Sequence, residues 1–94
     1  MPALLIRHRV RDFATWQRVF HEEATTRHAN GSRRERLFRS ETDASEVWLL
    51  LEWDDLFRAR LFVKSDDLRT ALARAEVIDQ PDYWYLEDAT AVLP

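Results

Sequence analysis

The 94-residue chain has no cysteine and only one glycine, and these shortages narrow its chemistry at once. Without cysteine there is no disulfide framework, no thiol nucleophile and no thiolate metal site. With Gly31 as the sole glycine, a glycine-rich phosphate loop is excluded in practice. No apolar run approaches the roughly 18–20 residues that cross a bilayer, so we expect no membrane span. The stretch Met1-Pro2-Ala3-Leu4-Leu5-Ile6-Arg7 lacks a basic segment ahead of its apolar residues, so it does not read as a signal peptide. The absence of thiols fits a reducing compartment, and we expect the cytoplasm. Positive charge is also in short supply. Fourteen basic against 17 acidic side chains leave a net charge of −3, which argues against a nucleic-acid partner.

Aromatic residues are plentiful: four Trp, five Phe and two Tyr. A single domain of this length buries only about two-thirds of its unfolded surface, so it gains from large aromatic payloads and from oligomerisation. The chain reads as one domain, 1–94, with a core over 3–87 and a tail over 88–94.

The stretch from Ser45 to Trp53 is nearly continuous in apolar character and reads as a strand buried on both faces. Helices can cover one face. The other needs a second copy of the chain or a ligand. Ahead of it, residues 3–10 alternate as a strand, with Leu4, Ile6, His8 and Val10 on one face and Leu5, Arg7 and Arg9 on the other. Asp12 is placed to cap a helix with Phe13, Trp16, Phe20, Ala24 and Arg27 as its inward stripe and Val19 beside it. Asn30-Gly31 ends that helix, because a left-handed residue is needed there. Residues 33–40 form a polar edge strand, joined through a turn at 41–44 to the central strand. Asp54-Asp55 caps a second helix, and Ser65-Asp66-Asp67 starts it afresh, so a break is expected there. Pro81 stops it, and 82–87 is a last strand. The tail either extends that strand onto a partner or frays.

The order β-α-β-β-α-β names the ferredoxin-like α+β motif: a four-stranded antiparallel sheet, order 4-1-3-2, with two helices on one face. The bare face keeps Leu5, Trp48 and Leu50, and from the last strand either Trp84 with Leu86 or Tyr83 with Tyr85. A face of that kind is an association site, and the simplest partner is a two-fold copy, making a homodimer through the sheet.

Two junctions, Val10 to Phe20 and Leu50-Leu51-Glu52-Trp53-Asp54-Asp55-Leu56, carry a resemblance. Over residues 3–87 the chain resembles the dimeric α+β barrel superfamily, in particular the small antibiotic-biosynthesis-monooxygenase-like and cyclase-like proteins. The resemblance implies a ligand pocket between sheet and helices. It allows cofactor-free oxygenation or cyclisation of a small hydrophobic aromatic molecule, or a non-catalytic ligand-binding or stress-associated role. Haem-degrading members use an Asn, a Trp and a His. Here the first strand has no Asn and the second helix no His, so haem degradation is not expected. No cofactor is expected.

Among candidate site residues, His8 faces the helices from an apolar strand face, where an imidazole must be hydrogen-bonded or line a pocket. It is the candidate base. Glu52 shares the other face with Trp48 and Leu50. It is either ion-paired to Arg7, Arg9 or Arg36, or a carboxylic acid of raised pKa. Trp16, Phe20, Trp53, Tyr83 and Tyr85 are candidate ligand walls, with core packing as the alternative. No metal site is expected. His21 and His28 are seven residues apart on one helix, roughly 10 Å, too far to share an ion. The basic run Arg27, His28, Arg33, Arg34, Arg36 and Arg39 precedes an acidic one, Glu41 to Asp55. It reads as complementary cross-strand charge or as an anion site.

Overall fold

The computed structural model describes residues 1–90, so residues 91–94 of the expected tail lie outside the described residues. The chain runs β1 (Ala3–Arg9), α1 (Phe13–Glu22), α2 (Ala24–Asn30), β2 (Ser32–Arg39), β3 (Glu46–Trp53), α3 (Leu56–Val63), α4 (Asp66–Arg74) and β4 (Asp82–Leu86). The four strands make one antiparallel sheet in the order β2-β3-β1-β4, as the ferredoxin-like reading requires. The helices form a single layer over one face. β2 and β4 are the edges.

Local chemistry explains the boundaries. Asp12 caps α1 by accepting from the Thr15 N–H, and Asp55 caps α3 by accepting from Arg58 N–H. Ser65 caps α4 through Leu68 N–H, which produces the expected break. The break in the first helix was not foreseen. That helix was expected to run unbroken to Asn30, yet it steps at Glu23, whose ψ of 1° departs from helical values. A regular helix turns about 100° per residue, so neighbouring side chains point apart. The step lets Glu22 and Glu23 both reach Arg74 on α4, each at 2.6 Å. Two helices thus become four pieces.

Gly31 closes α2 at φ +122°, and its N–H bonds back to the Arg27 and His28 carbonyls. A Cβ here would lie 3.3 Å from Trp53 Cε3 and 3.4 Å from the Arg58 side chain. Gly31→Ala should therefore lower stability by about 1–2 kcal/mol, read as a reduced urea midpoint. An unchanged midpoint would show that this turn has no need of glycine.

The core lies between sheet and helices. Leu4, Ile6 and Val10 from the first strand region meet Val47, Leu49, Leu51 and Trp53 of β3, with Trp16, Val19, Ala59, Phe62 and Leu68 from above. β3 alternates strictly between buried and half-buried residues. Within one chain, then, it is covered on one face only, as expected if the second face awaits other cover. On that second face Leu5 pairs with Leu50 and Trp84, and the indoles of Trp48 and Trp84 stack at 5.7 Å. Phe38, Trp84 and Leu86 are exposed beside them. Tyr83 and Tyr85 therefore face the helices, which resolves the two alternatives for β4. Charges rim the patch. Glu46 accepts from Trp48 Nε1 at 2.8 Å and meets Arg7 at 3.0 Å, and these contacts hold its carboxyl below the usual range.

The Arg cluster is mostly engaged in structural contacts. Arg33 pairs with Asp54, Arg34 with Glu52, and Arg39 donates to the Ala44 carbonyl while lying over the Phe13 ring. Arg36 lies over the Phe38 ring. Complementary charge accounts for Arg33 and Arg34. Among the described residues no helix is long and apolar enough to cross a membrane.

Candidate functional site

The sheet–helix interface leaves a cavity of about 60 Å³ beside His8. β1 supplies Ile6 and His8 to its floor, and β3 supplies Leu49 and Leu51. α1 contributes Trp16, Val19 and Phe20, and α4 contributes Leu68, Ala71 and Leu72, with Tyr83 from β4. The α1 side is a column of rings: Phe13 stacks on Trp16 at 5.7 Å, and Trp16 on Phe20 at 5.1 Å and 9°. Their i, i+3 and i+4 spacing puts all three on one helix face. A guanidinium covers each end of the column, Arg39 at 4.1 Å from the Phe13 ring and Arg27 at 3.8 Å from that of Phe20.

His8 is 2% exposed, and its ring centre lies 5.8 Å from that of Trp16. Neither ring nitrogen has a hydrogen-bond partner in the protein. Burial drives its pKa from 6.5 to about 4; nearby Asp79 opposes this and Arg7 reinforces it. The imidazole is therefore neutral at pH 7, with one donor and one acceptor nitrogen unused. Buried polar groups are normally paired, so an unpaired imidazole against a cavity marks a place where a ligand can bind. Burial also raises the pKa of Tyr83, which stays a neutral phenol.

The expected site residues divide. His8, Trp16, Phe20 and Tyr83 meet at the cavity. Trp53 does not line it. Its side chain is fully buried at the far end of β3, 5.2 Å from the Phe62 ring and against Gly31. Tyr85 packs against the core under the guanidinium of Arg60, likewise off the cavity. Glu52 lies on the opposite face of the sheet from His8, so the two cannot serve one site within a protomer. Its partner is also corrected: it pairs with Arg34 at 3.4 Å, because the β2–β3 register sets Arg34 directly opposite it and Arg36 opposite Leu50.

Three charged lining residues were not marked as site residues from sequence: Glu23, Arg27 and Asp67. The available signal was Arg27, a charged residue within an apolar helical stripe. A larger, open groove of about 310 Å³ lies outside, lined by Lys64, Arg69 and Pro81 among others. It shares Leu68, Leu72 and Tyr83 with the inner cavity, so these three side chains form the wall between them. The smaller space is the better candidate, since the unpaired imidazole and the ring column face it. Among the described residues no group of three potential metal ligands assembles.

No protein-family model matches the chain, and no curated protein matches its sequence. Solved structures do match. An antibiotic biosynthesis monooxygenase-like protein from Bordetella bronchiseptica superposes with a TM-score of 0.79 at 14% identity, over 94% of this chain and 96% of that one. A similar protein from Caulobacter crescentus CB15 gives a TM-score of 0.74 at 20% identity, over 94% and 89%. SnoaB, a cofactor-independent oxygenase from Streptomyces nogalater, gives 0.70 at 15% identity, over 95% of each chain. Identities this low speak for architecture alone. The chain has the fold of the antibiotic biosynthesis monooxygenase-like proteins.

Proposed function

We propose that this chain is a homodimeric, cytoplasmic, cofactor-free oxygenase acting on a small hydrophobic aromatic molecule held between the sheet and the helices. The observation that carries the reading is His8: a neutral, unpartnered imidazole beside a ring-walled cavity. SnoaB, of the same fold, is a cofactor-independent oxygenase. Without a cofactor, the electrons that reduce oxygen must come from the substrate itself. A substrate carbanion or enolate can supply them; the neutral molecule supplies them poorly. His8 would take the proton. The burial that keeps the ring unprotonated also weakens it as a base, so the proton must leave an acidic carbon or hydroxyl conjugated to a carbonyl. For an activated methylene, the carbanion and O₂ give a hydroperoxide. Loss of water then leaves a ketone, so R₂CH₂ and O₂ become R₂C=O and H₂O.

The second copy would close the open sheet face, where Phe38, Trp48, Leu50, Trp84 and Leu86 form a charge-rimmed apolar patch. Each protomer keeps its own cavity on the far side.

The test is oxygen uptake by purified protein given anthrones, whose methylene is conjugated to a carbonyl, in air with chelator present. Substrate-dependent uptake matched by one ketone per O₂ is the expected result. No uptake with any of them would overturn the oxygenase reading. A second reading, a non-catalytic ligand-binding or stress-associated protein, draws on the size of the cavity. It is well below the roughly 300 Å³ and more of ordinary ligand pockets, which leaves little room for a substrate and its oxygen together.

A further inference from the structure

Five ionisable groups reach the cavity: His8, Glu23, Arg27, Asp67 and the neutral phenol of Tyr83. Glu23 is held by Arg74 at 2.6 Å, and Asp67 is exposed at the mouth. Arg27 is the unusual one. It is 5% exposed, deep for a guanidinium. Its Nη1 donates to the Phe20 carbonyl at 2.7 Å while its plane lies over the Phe20 ring. Its other edge is unused. Nε and Nη2 make no hydrogen bond, and the nearest carboxylate oxygen, Glu35 Oε1, stands 3.5 Å from Nη2. Arg–carboxylate pairs are frequently bidentate, with two short parallel bonds, and this one is not. Two vacant donors on a buried cation are costly unless something else takes them.

We propose that Arg27 is a ligand-reading residue whose Nε–Nη2 edge donates to an uncharged carbonyl oxygen of a molecule seated on the Trp16–Phe20 wall. This rests on the reading that the cavity holds a small organic molecule, and it adds which group of that molecule is recognised. The charge balance decides between carbonyl and carboxylate. Glu35 offsets the charge of Arg27 without occupying its donors, and Glu23 and Asp67 add negative charge around the same space. His8 is neutral and offers no compensation. A carboxylate entering here meets like charge, whereas a carbonyl finds two ready donors and sheds little hydration. Arg27 thus selects for oxygen and against anions.

The experiment uses three one-ring probes of similar size on the ¹⁵N-labelled full chain: ethylbenzene, acetophenone and benzoate. Affinities come from titration, with the Arg27 Nε–H resonance as a site-specific reporter. Wild type should hold acetophenone about tenfold or more tighter than ethylbenzene, move the Arg27 resonance with acetophenone only, and bind benzoate weakest. Arg27→Met should erase the acetophenone advantage and keep ethylbenzene binding. Should that variant not fold, Glu35→Gln serves instead. With the offsetting charge removed, it should reverse the order and favour benzoate. Ethylbenzene binding with no acetophenone advantage, or benzoate tightest in wild type, would overturn the role of Arg27 while leaving the cavity reading intact. Failure of all three probes to bind would overturn both.

Discussion

Trp48→Glu should convert the protein from a dimer to a monomer. By light scattering, the wild type is expected at twice the chain mass of 11.2 kDa, and the variant at the chain mass. Trp48 sits mid-patch on β3, stacked on Trp84, with its indole N–H on Glu46. Glutamate removes the ring, takes the indole donor from Glu46 so that Arg7 is its remaining hydrogen-bond donor, and sets a second carboxylate beside it. Under two-fold symmetry each substitution acts twice. A central tryptophan typically contributes at least about 2 kcal/mol to an interface, so the dissociation constant should rise by roughly three orders of magnitude. Phe57→Glu is the control, since Phe57 is 70% exposed on the outer face of the helix layer and should leave the mass unchanged. A wild-type protein that stays at the chain mass at micromolar concentration would refute the dimer.

His8→Phe should change two observables together. Turnover should fall by about 10²–10⁴, the usual contribution of a positioned base. Stability should also lose its dependence on mild acid. In the unfolded chain His8 takes a proton near pH 6.5, while in the folded protein it resists until about pH 4. Between those values the unfolded state binds more protons, so wild-type stability falls as pH drops through this window and levels off below it. The loss is on the order of 3 kcal/mol, and urea midpoints between pH 7 and pH 4 will show it. Phenylalanine cannot titrate, so the variant should be nearly flat over the same range. Carboxylates such as Asp43, held near 2 by Ser45 and Arg9, act below this window in both proteins. Parallel midpoint curves for the two proteins would mean that the imidazole is not buried neutral. Retained turnover would remove His8 as the base.

Much of this architecture was legible in the sequence, for reasons that can be named. Periodicity assigns a residue to a face, and here it placed His8, Trp16 and Phe20 on the inner side of their elements. Gly31 and Ser65 were readable because a left-handed turn and a helix start each demand particular side chains. What periodicity does not give is position along an element. Trp53 and Leu51 share a face of β3, yet Leu51 lines the cavity while Trp53 packs against Gly31 at the end of the strand. Register was equally hidden. The irregularity between Ser32 and Arg34 decides that Glu52 faces Arg34, and nothing in the composition of β2 announces it. The step at Glu23 comes with a contact to Arg74, 51 residues away, which no local pattern shows.

The segmentation of the helix layer also bears on how tightly any molecule can be held. Its pieces are 10, 7, 8 and 9 residues long, each shorter than the roughly 12–15 residues at which a lone helix becomes even marginal in water. Each shingle of this roof borrows its order from the sheet beneath. α4 has only Leu68 deeply buried along its own length and is tied to the first helix pair by Arg74, so its lifting would expose little of the core. The room available to a guest is then an equilibrium quantity, set by how often the shingle is raised. Measured affinity becomes the intrinsic affinity discounted by that open fraction, and changes in α4 that never touch the guest will still tune it.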